Sequence, residues 1–433
     1  MYYLFYYIFI LFYCIFILFY CIYLSSSTTP VSRLPVADSA SRAANTPPHS
    51  EALKLAGGDN PTTLLSSIGH VFLLDMFTTK EANILRLICR EFNLAVQQHR
   101  WKDSETKISN IALWRRSFPR ARKANVSGTP IRDAAFVHLV GIQELNLCAC
   151  KGITDAAFVH LGGIQKLNMC GCTAITDAAF VHLRGIKKLN IEGCRQITDA
   201  AFVHLKGIKT LNIEGCRQIT DAAFVHLKGI QKLNLCGCKG ITDAAFVHLK
   251  GIKKLNIEGC RQITDAAFVH LEGIQTLNMS WCGRITDAAF AHLVGIQTLN
   301  MHGCNITDPA LVYLKGIQTL NMSWCERITD AAFVHLKGIQ MLNISQCANI
   351  TDAAFVHLKG IQTLDMTWCT GITDAVFLHL EGIHSLNVWG CRQITDVALV
   401  HFKGLCREES RSRTPPLITS WAYVKGRKYT PFP

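Results

Sequence analysis

A segment of 22 residues recurs almost unchanged along this chain, and no other feature restricts the fold so strongly. The unit reads I-T-D-A-A-F-V-H-L-K-G-I-Q-x-L-N-x-x-x-C-x-x. Its aspartate keeps the register: Asp133, Asp155, Asp177 and so on to Asp374 and Asp396. Each step is 22 residues except the one of 21 that ends at Asp308, where Cys304-Asn305-Ile306 is a residue short. A fixed period of this length is the signature of stacked units, each touching only its neighbours.

One unit shows why the units must stack. In Ile208-Lys209-Thr210-Leu211-Asn212-Ile213, apolar residues alternate with polar ones, which predicts a short strand with one buried face. Cys216 and Ile219 continue the apolar side. Thr220 is placed to cap a helix and Asp221 to favour its first turn. Ala222, Ala223, Phe224 and Leu227 follow, with Phe224 and Leu227 three apart on one face. Gly229 stops the helix in a conformation that glycine tolerates. One strand and one short helix cannot bury their own apolar faces, so the neighbours must.

The cysteines follow the same period. Of 19, twelve share one phase, from Cys150 through Cys216 and Cys304 to Cys391. Equivalent positions in a stack form a row, and a buried row of small thiols packs well. That pattern fits reducing surroundings better than a disulfide scaffold. Cys148, Cys170 and Cys236 stand two residues earlier in their units. No Cys-x-x-Cys or paired histidines accompany them, so neither metal nor cofactor is expected.

With these residues in view, the motif I-x-x-L-x-I-x-x-C-x-x-I-T-D resembles the leucine-rich-repeat family in its cysteine-containing form, over about residues 121–405. The resemblance implies an α/β solenoid, a horseshoe whose parallel strands line the concave side. Units this short imply brief or 3₁₀ helices. The first unit is degenerate, with Val126, Thr129 and Ile131 in the places of Met301, Cys304 and Ile306.

The rest of the chain is of other kinds. Residues 1–24 carry no charge and, as a helix, match the thickness of a bilayer core. Two readings stand: a membrane anchor that leaves the repeats in the cytoplasm, since the first nearby charges are Arg33, Arg42 and Lys54, or upstream sequence outside the working protein. Residues 25–63, rich in Ser, Thr, Pro and Ala, read as a disordered linker. Residues 64–103 show helical spacing and none of the repeat, which predicts a small helical module. Residues 104–120 read as a basic linker, and 406–433 as a basic, proline-containing tail.

Within 64–103, Val71-Phe72-Leu73-Leu74-Asp75-Met76-Phe77, then Leu87-Ile88-Cys89-Arg90-Glu91-Phe92, then Trp101, resembles an F-box. That resemblance implies docking of a cullin ubiquitin ligase adaptor on Leu73, Leu74, Leu87, Ile88 and Phe92. The usual Leu-Pro start is absent, and Ile68-Gly69-His70 stands near its place. A plain cap for the solenoid is the other reading of these helices.

Inside the array, the positions that vary carry the information. The asparagine row from Asn146 to Asn387 should hydrogen-bond along the stack or to water. The first half places Lys166, Lys188, Lys232 and Lys254 on the concave side, with Glu192, Glu214 and Glu258 nearby. The second half gives Trp281, Trp324, Trp368 and Trp389, the last shifted by one position. Tryptophan is a frequent hot-spot residue, so these eight are the expected protein-binding set. A histidine row, including His138, His226 and His335, is expected on the convex side, where acid would load it with like charge.

The formal net charge of +13 admits acidic proteins and nucleic acid alike, though nucleic acid is not the expected partner class. No catalytic constellation, phosphate loop or nucleophile elbow appears, so no enzyme activity is expected. Two functions follow: an F-box-like substrate receptor, or an interaction scaffold without a ligase role.

Overall fold

The computed structural model describes residues 74, 77–87, 90–103 and 106–395. Residues 1–73, among them Leu73 and the apolar start, Ile88, the side chain of Phe92 and the tail lie outside that set. Contacts divide the chain between Ala124 and Asn125. Among the described residues no helix is long and apolar enough to cross a membrane.

The first unit holds three short helices: α1 (Thr79–Leu85), α2 (Arg90–Gln98) and α3 (Ile111–Ser117). Thr78 caps α1, and Glu81 completes a capping box with it. Thr79 instead donates its backbone N–H and hydroxyl to Asp103, both at 2.7 Å. The segment expected as a basic linker contains α3, capped by Asn110 and burying Ile111 and Trp114. Charge misled there: Arg115 and Arg120 donate to the carbonyls of Ala121 and Gln98, which leaves Phe118 to pack with Trp101 and Trp114.

The repeats form the expected leucine-rich-repeat solenoid. Thirteen parallel strands follow chain order, from β1 (Lys123–Asn125) and β2 (Glu144–Asn146) to β13 (Ser385–Asn387). Register is strict: Lys166 lies beside Lys188, Leu167 beside Leu189 and Asn168 beside Asn190. Between strands the chain returns through 3₁₀ helices such as Asp221–Leu227. A 3₁₀ turn rises about 2.0 Å per residue against about 1.5 Å for an α-helix, so few residues span the return. Seven residues is long for a 3₁₀ helix. Burial holds it, because Ala223, Phe224 and Leu227 are at most 1% exposed. In the same unit Leu211, Ile213, Cys216 and Ile219 are equally buried.

Two ladders join the units, and neither was anticipated. The repeat aspartate accepts from the Thr of the following unit: Asp221 takes the N–H of Thr242 at 2.8 Å and its hydroxyl at 2.5 Å. The pairing runs from Thr154 on Asp133 to Thr395 on Asp374. Each buried thiol donates to a carbonyl of the preceding unit, as Cys216 does to Ile191 at 3.1 Å. The cysteines two residues ahead of that row behave differently. Cys148 and Cys170 form a disulfide, because in-register stacking sets their Cα atoms 4.6 Å apart.

Candidate functional site

The polar and aromatic differences between units that matter for binding lie on the exposed face of the sheet and in the turn after each strand. The asparagine at each strand end is spent on structure. Its Oδ1 accepts the backbone N–H two residues on, as Asn212 does from Glu214 at 3.0 Å. In three units its Nδ2 also holds a glutamate: Asn212 on Glu192, Asn234 on Glu214 and Asn278 on Glu258. The asparagine row therefore shapes turns and orients carboxylates, rather than bonding from one asparagine to the next.

Lys166, Lys188, Lys232 and Lys254 open their strands and point from the exposed sheet face. Lys166 pairs with Glu144 at 2.7 Å. Lys188, Lys232 and Lys254 are exposed and form no ion pair among the described residues. The equivalent positions in later units are Thr276, Thr298, Thr319, Met341, Thr363 and Ser385. The cationic character stops there.

The tryptophans stand just beyond the strands. Trp281, Trp324 and Trp368 occupy the turn that follows β8 (Thr276–Asn278), β10 (Thr319–Asn321) and β12 (Thr363–Asp365). They form a rim along the C-terminal ends of the strands. Their backbones are left-handed, with φ of 60°, 60° and 59°. Glycine fills the same place in most other units, for example Gly215 at 69° and Gly259 at 69°, with Ala149 and Gln346 as the exceptions at 59° and 62°. A side chain there costs roughly 1–2 kcal/mol. Stability alone favours glycine, and a strained backbone that persists points to function.

The rings are both supported and open. Trp281 lies over Gly303, where an added Cβ would come within 2.8 Å of the ring, and Trp368 lies over Gly390 at 2.6 Å. Trp281 meets His302 edge-on at a centroid distance of 4.8 Å, and Trp368 meets Trp389 at 5.0 Å. Yet Trp281, Trp324, Trp368 and Trp389 remain 50%, 44%, 38% and 47% exposed. Sequence patterning located these residues but missed the backbone conformation. The signal was available, since they stand where other units have glycine.

The helical unit gives a mixed result for the adaptor set. Leu74 is buried and belongs to the core, which corrects its assignment as a docking residue. Leu87 is exposed, and so is Ile84, which was not singled out. Leu73, Ile88 and the Phe92 side chain are outside the described residues.

Chemically, the array offers little reactivity. Burial pushes the repeat thiols up: Cys172, Cys216 and Cys282 to about 12, Cys194 and Cys347 to about 11. Thiols held protonated are poor nucleophiles and poor metal ligands. Cys236 is less buried, but desolvation and then Glu214 and Glu258 raise it too, to about 11. Among the described residues no group of three or more His, Cys, Asp or Glu is placed to hold a metal. The histidine row is half-buried beside exposed valines such as Val203 and Val225.

No protein-family model matches this sequence, and no curated protein matches it. Solved structures do match. A TLR13–ssRNA13 complex aligns at a TM-score of 0.50 and 19% identity, over 64% of this chain and 44% of that one. The mouse RP105/MD-1 complex aligns at 0.50 and 19%, over 70% and 56%. The yeast Rad7 and Elc1 complex aligns at 0.48 and 15%, over 75% and 92%. This chain thus spans about half the length of the first two. At such identities the likeness establishes the fold, a leucine-rich-repeat solenoid.

Proposed function

We propose that this chain is a non-catalytic protein-binding repeat protein, and that its partner docks on the tryptophan rim of the second half. One observation carries this reading: exposed tryptophans occupy left-handed turn positions that other units give to glycine. A rigid, half-open aromatic is what binding hot spots are made of. The exposed lysines of the first half would steer an acidic partner and set its orientation.

We further propose that residues 64–103 act as an F-box-like module, so that the repeats select a target for a cullin ubiquitin ligase. The F-box resemblance supports this, together with the exposure of Ile84 and Leu87 on a helical unit that buries Leu74. The test uses the full chain. Purified protein should co-elute with the ligase adaptor, and Leu87→Asp should abolish co-elution while leaving the helical signal intact. Failure of the intact protein to bind the adaptor would leave a scaffold without a ligase role. Loss of a cross-linked cellular partner in Trp281→Gly and Trp368→Gly, with an unchanged melting curve, is the expected result for the rim.

A further inference from the structure

The aromatic rim has a period, and the period narrows the ligand. Successive turns are tied by backbone bonds: Trp281 N–H to His302 at 2.9 Å, Gly303 to Ser323 at 3.0 Å, Trp324 to Ser345 at 2.9 Å, Gln346 to Thr367 at 2.8 Å and Trp368 to Trp389 at 2.8 Å. The rim therefore repeats at the strand spacing, about 4.8 Å. Tryptophan occupies every second unit, at 281, 324 and 368, with Gly303 and Gln346 between. Rings thus recur at about 9.6 Å. A polyproline II helix completes a turn in three residues of about 3.1 Å each, so it presents the same face about every 9.3 Å.

The ring geometry agrees. Trp281 and His302 stand at 88° to each other, and Trp368 and Trp389 at 82°. Each pair walls a notch with two perpendicular rings, a shape that accepts a compact, puckered pyrrolidine. The notches are four units apart, about 19 Å, or two polyproline turns. Trp324 lies midway.

Charge sets the rest. Arg284, Arg327 and Arg392 are exposed, each three residues after a rim tryptophan. The acids nearby are Glu326, Glu258, which is held by Asn278, and Asp365, which is held by Ser345 and Thr367. Glu258 and Asp365 are half-buried, so the exposed charges that a ligand meets along the rim are the three arginines and Glu326.

We infer that the rim from Trp281 to Trp389 is a docking track for an acidic, proline-rich segment of a partner protein, bound as a polyproline II helix with prolines six residues apart in the Trp281–His302 and Trp368–Trp389 notches. This rests on the proposal that the rim is the partner-binding surface. Aromatic-lined tracks recognise such helices because the ligand is already ordered and loses little freedom.

The test is titration of the full-length protein with the synthetic peptide (Glu-Pro-Pro)4, followed by tryptophan emission and calorimetry. Saturable binding is expected, with (Glu-Gly-Gly)4, of equal charge, at least tenfold weaker. Trp281→Gly and Trp368→Gly restore the residue found at Gly215 and Gly259, so both should fold, and each should weaken binding at least tenfold. Arg284→Glu with Arg327→Glu should weaken it and flatten its salt dependence. Equal binding of the two peptides, or none of either, overturns the inference. So does saturable quenching by a uridine dodecamer in place of the peptide. Cross-linking of a cellular partner at Gln346 without peptide binding would remove the polyproline inference and keep the contact surface. Absence of both would remove both.

Discussion

The two halves of the array share a core and differ at the surface. Phe224 and Phe333 are equally buried, Cys216 and Cys325 occupy the same thiol row, and the Thr–Asp ladder passes through both. The first half opens most of its strands with lysine and turns mostly on glycine, whereas the second opens most of its strands with threonine and sets tryptophan in three of its turns. The core is thus shared evenly, while the surface chemistry is divided. Where every unit repeats the same packing, only positions free of that packing can diverge.

Alkali should act most strongly, because it reaches every unit. Folded thiols titrate above the ordinary value of 9.0, at about 12 for Cys216 and Cys282 and about 11 for Cys347. The folded state therefore holds its protons more tightly than the unfolded chain. Stability should be full below pH 9 and fall as pH climbs from 9 towards 12. Equilibrium unfolding across that range should show one transition, shallower in Cys216→Ala. Two separated transitions would break the equivalence of the halves.

Single-site changes sharpen the same comparison. Phe224→Ala and Phe333→Ala should each cost about 3–5 kcal/mol in urea unfolding, with similar values in both halves. Asp243→Ala and Asp330→Ala each remove a charged acceptor for two bonds from the next unit's threonine. Each should cost about 2 kcal/mol. The turn should separate the halves by sign. Gly215→Ala should lose about 1 kcal/mol, whereas Trp324→Gly should change stability little, relief of the left-handed backbone offsetting lost ring contacts. A strong destabilisation by Trp324→Gly would make that ring structural.

Much of this was legible in the sequence. The period gave the solenoid, the alternation around Leu211 gave the strands, and the unit length gave the 3₁₀ returns. What was missed lies between units. Asp221 looks like a helix-start charge within its own unit, and only stacking brings Thr242 onto it. The left-handed state of Trp324 is likewise a backbone property, visible in sequence only against glycine in sister units. In the helical unit, α3 was hidden because its arginines masked an apolar stripe through Ile111, Trp114 and Phe118. Leu74 and Leu87 look alike in sequence and differ in burial, which no local pattern reveals.

Position-specific photo-cross-linking in cells tests the division of labour most directly. A photoreactive residue at Gln346, between Trp324 and Trp368 on the rim, is compared with one at Lys232 on the first-half sheet face and one at Val225 on the exposed valine row. A discrete partner adduct is expected to be strongest at Gln346, weaker at Lys232 and absent at Val225. Adducts of equal yield at all three positions, or strongest at Val225, would contradict that division.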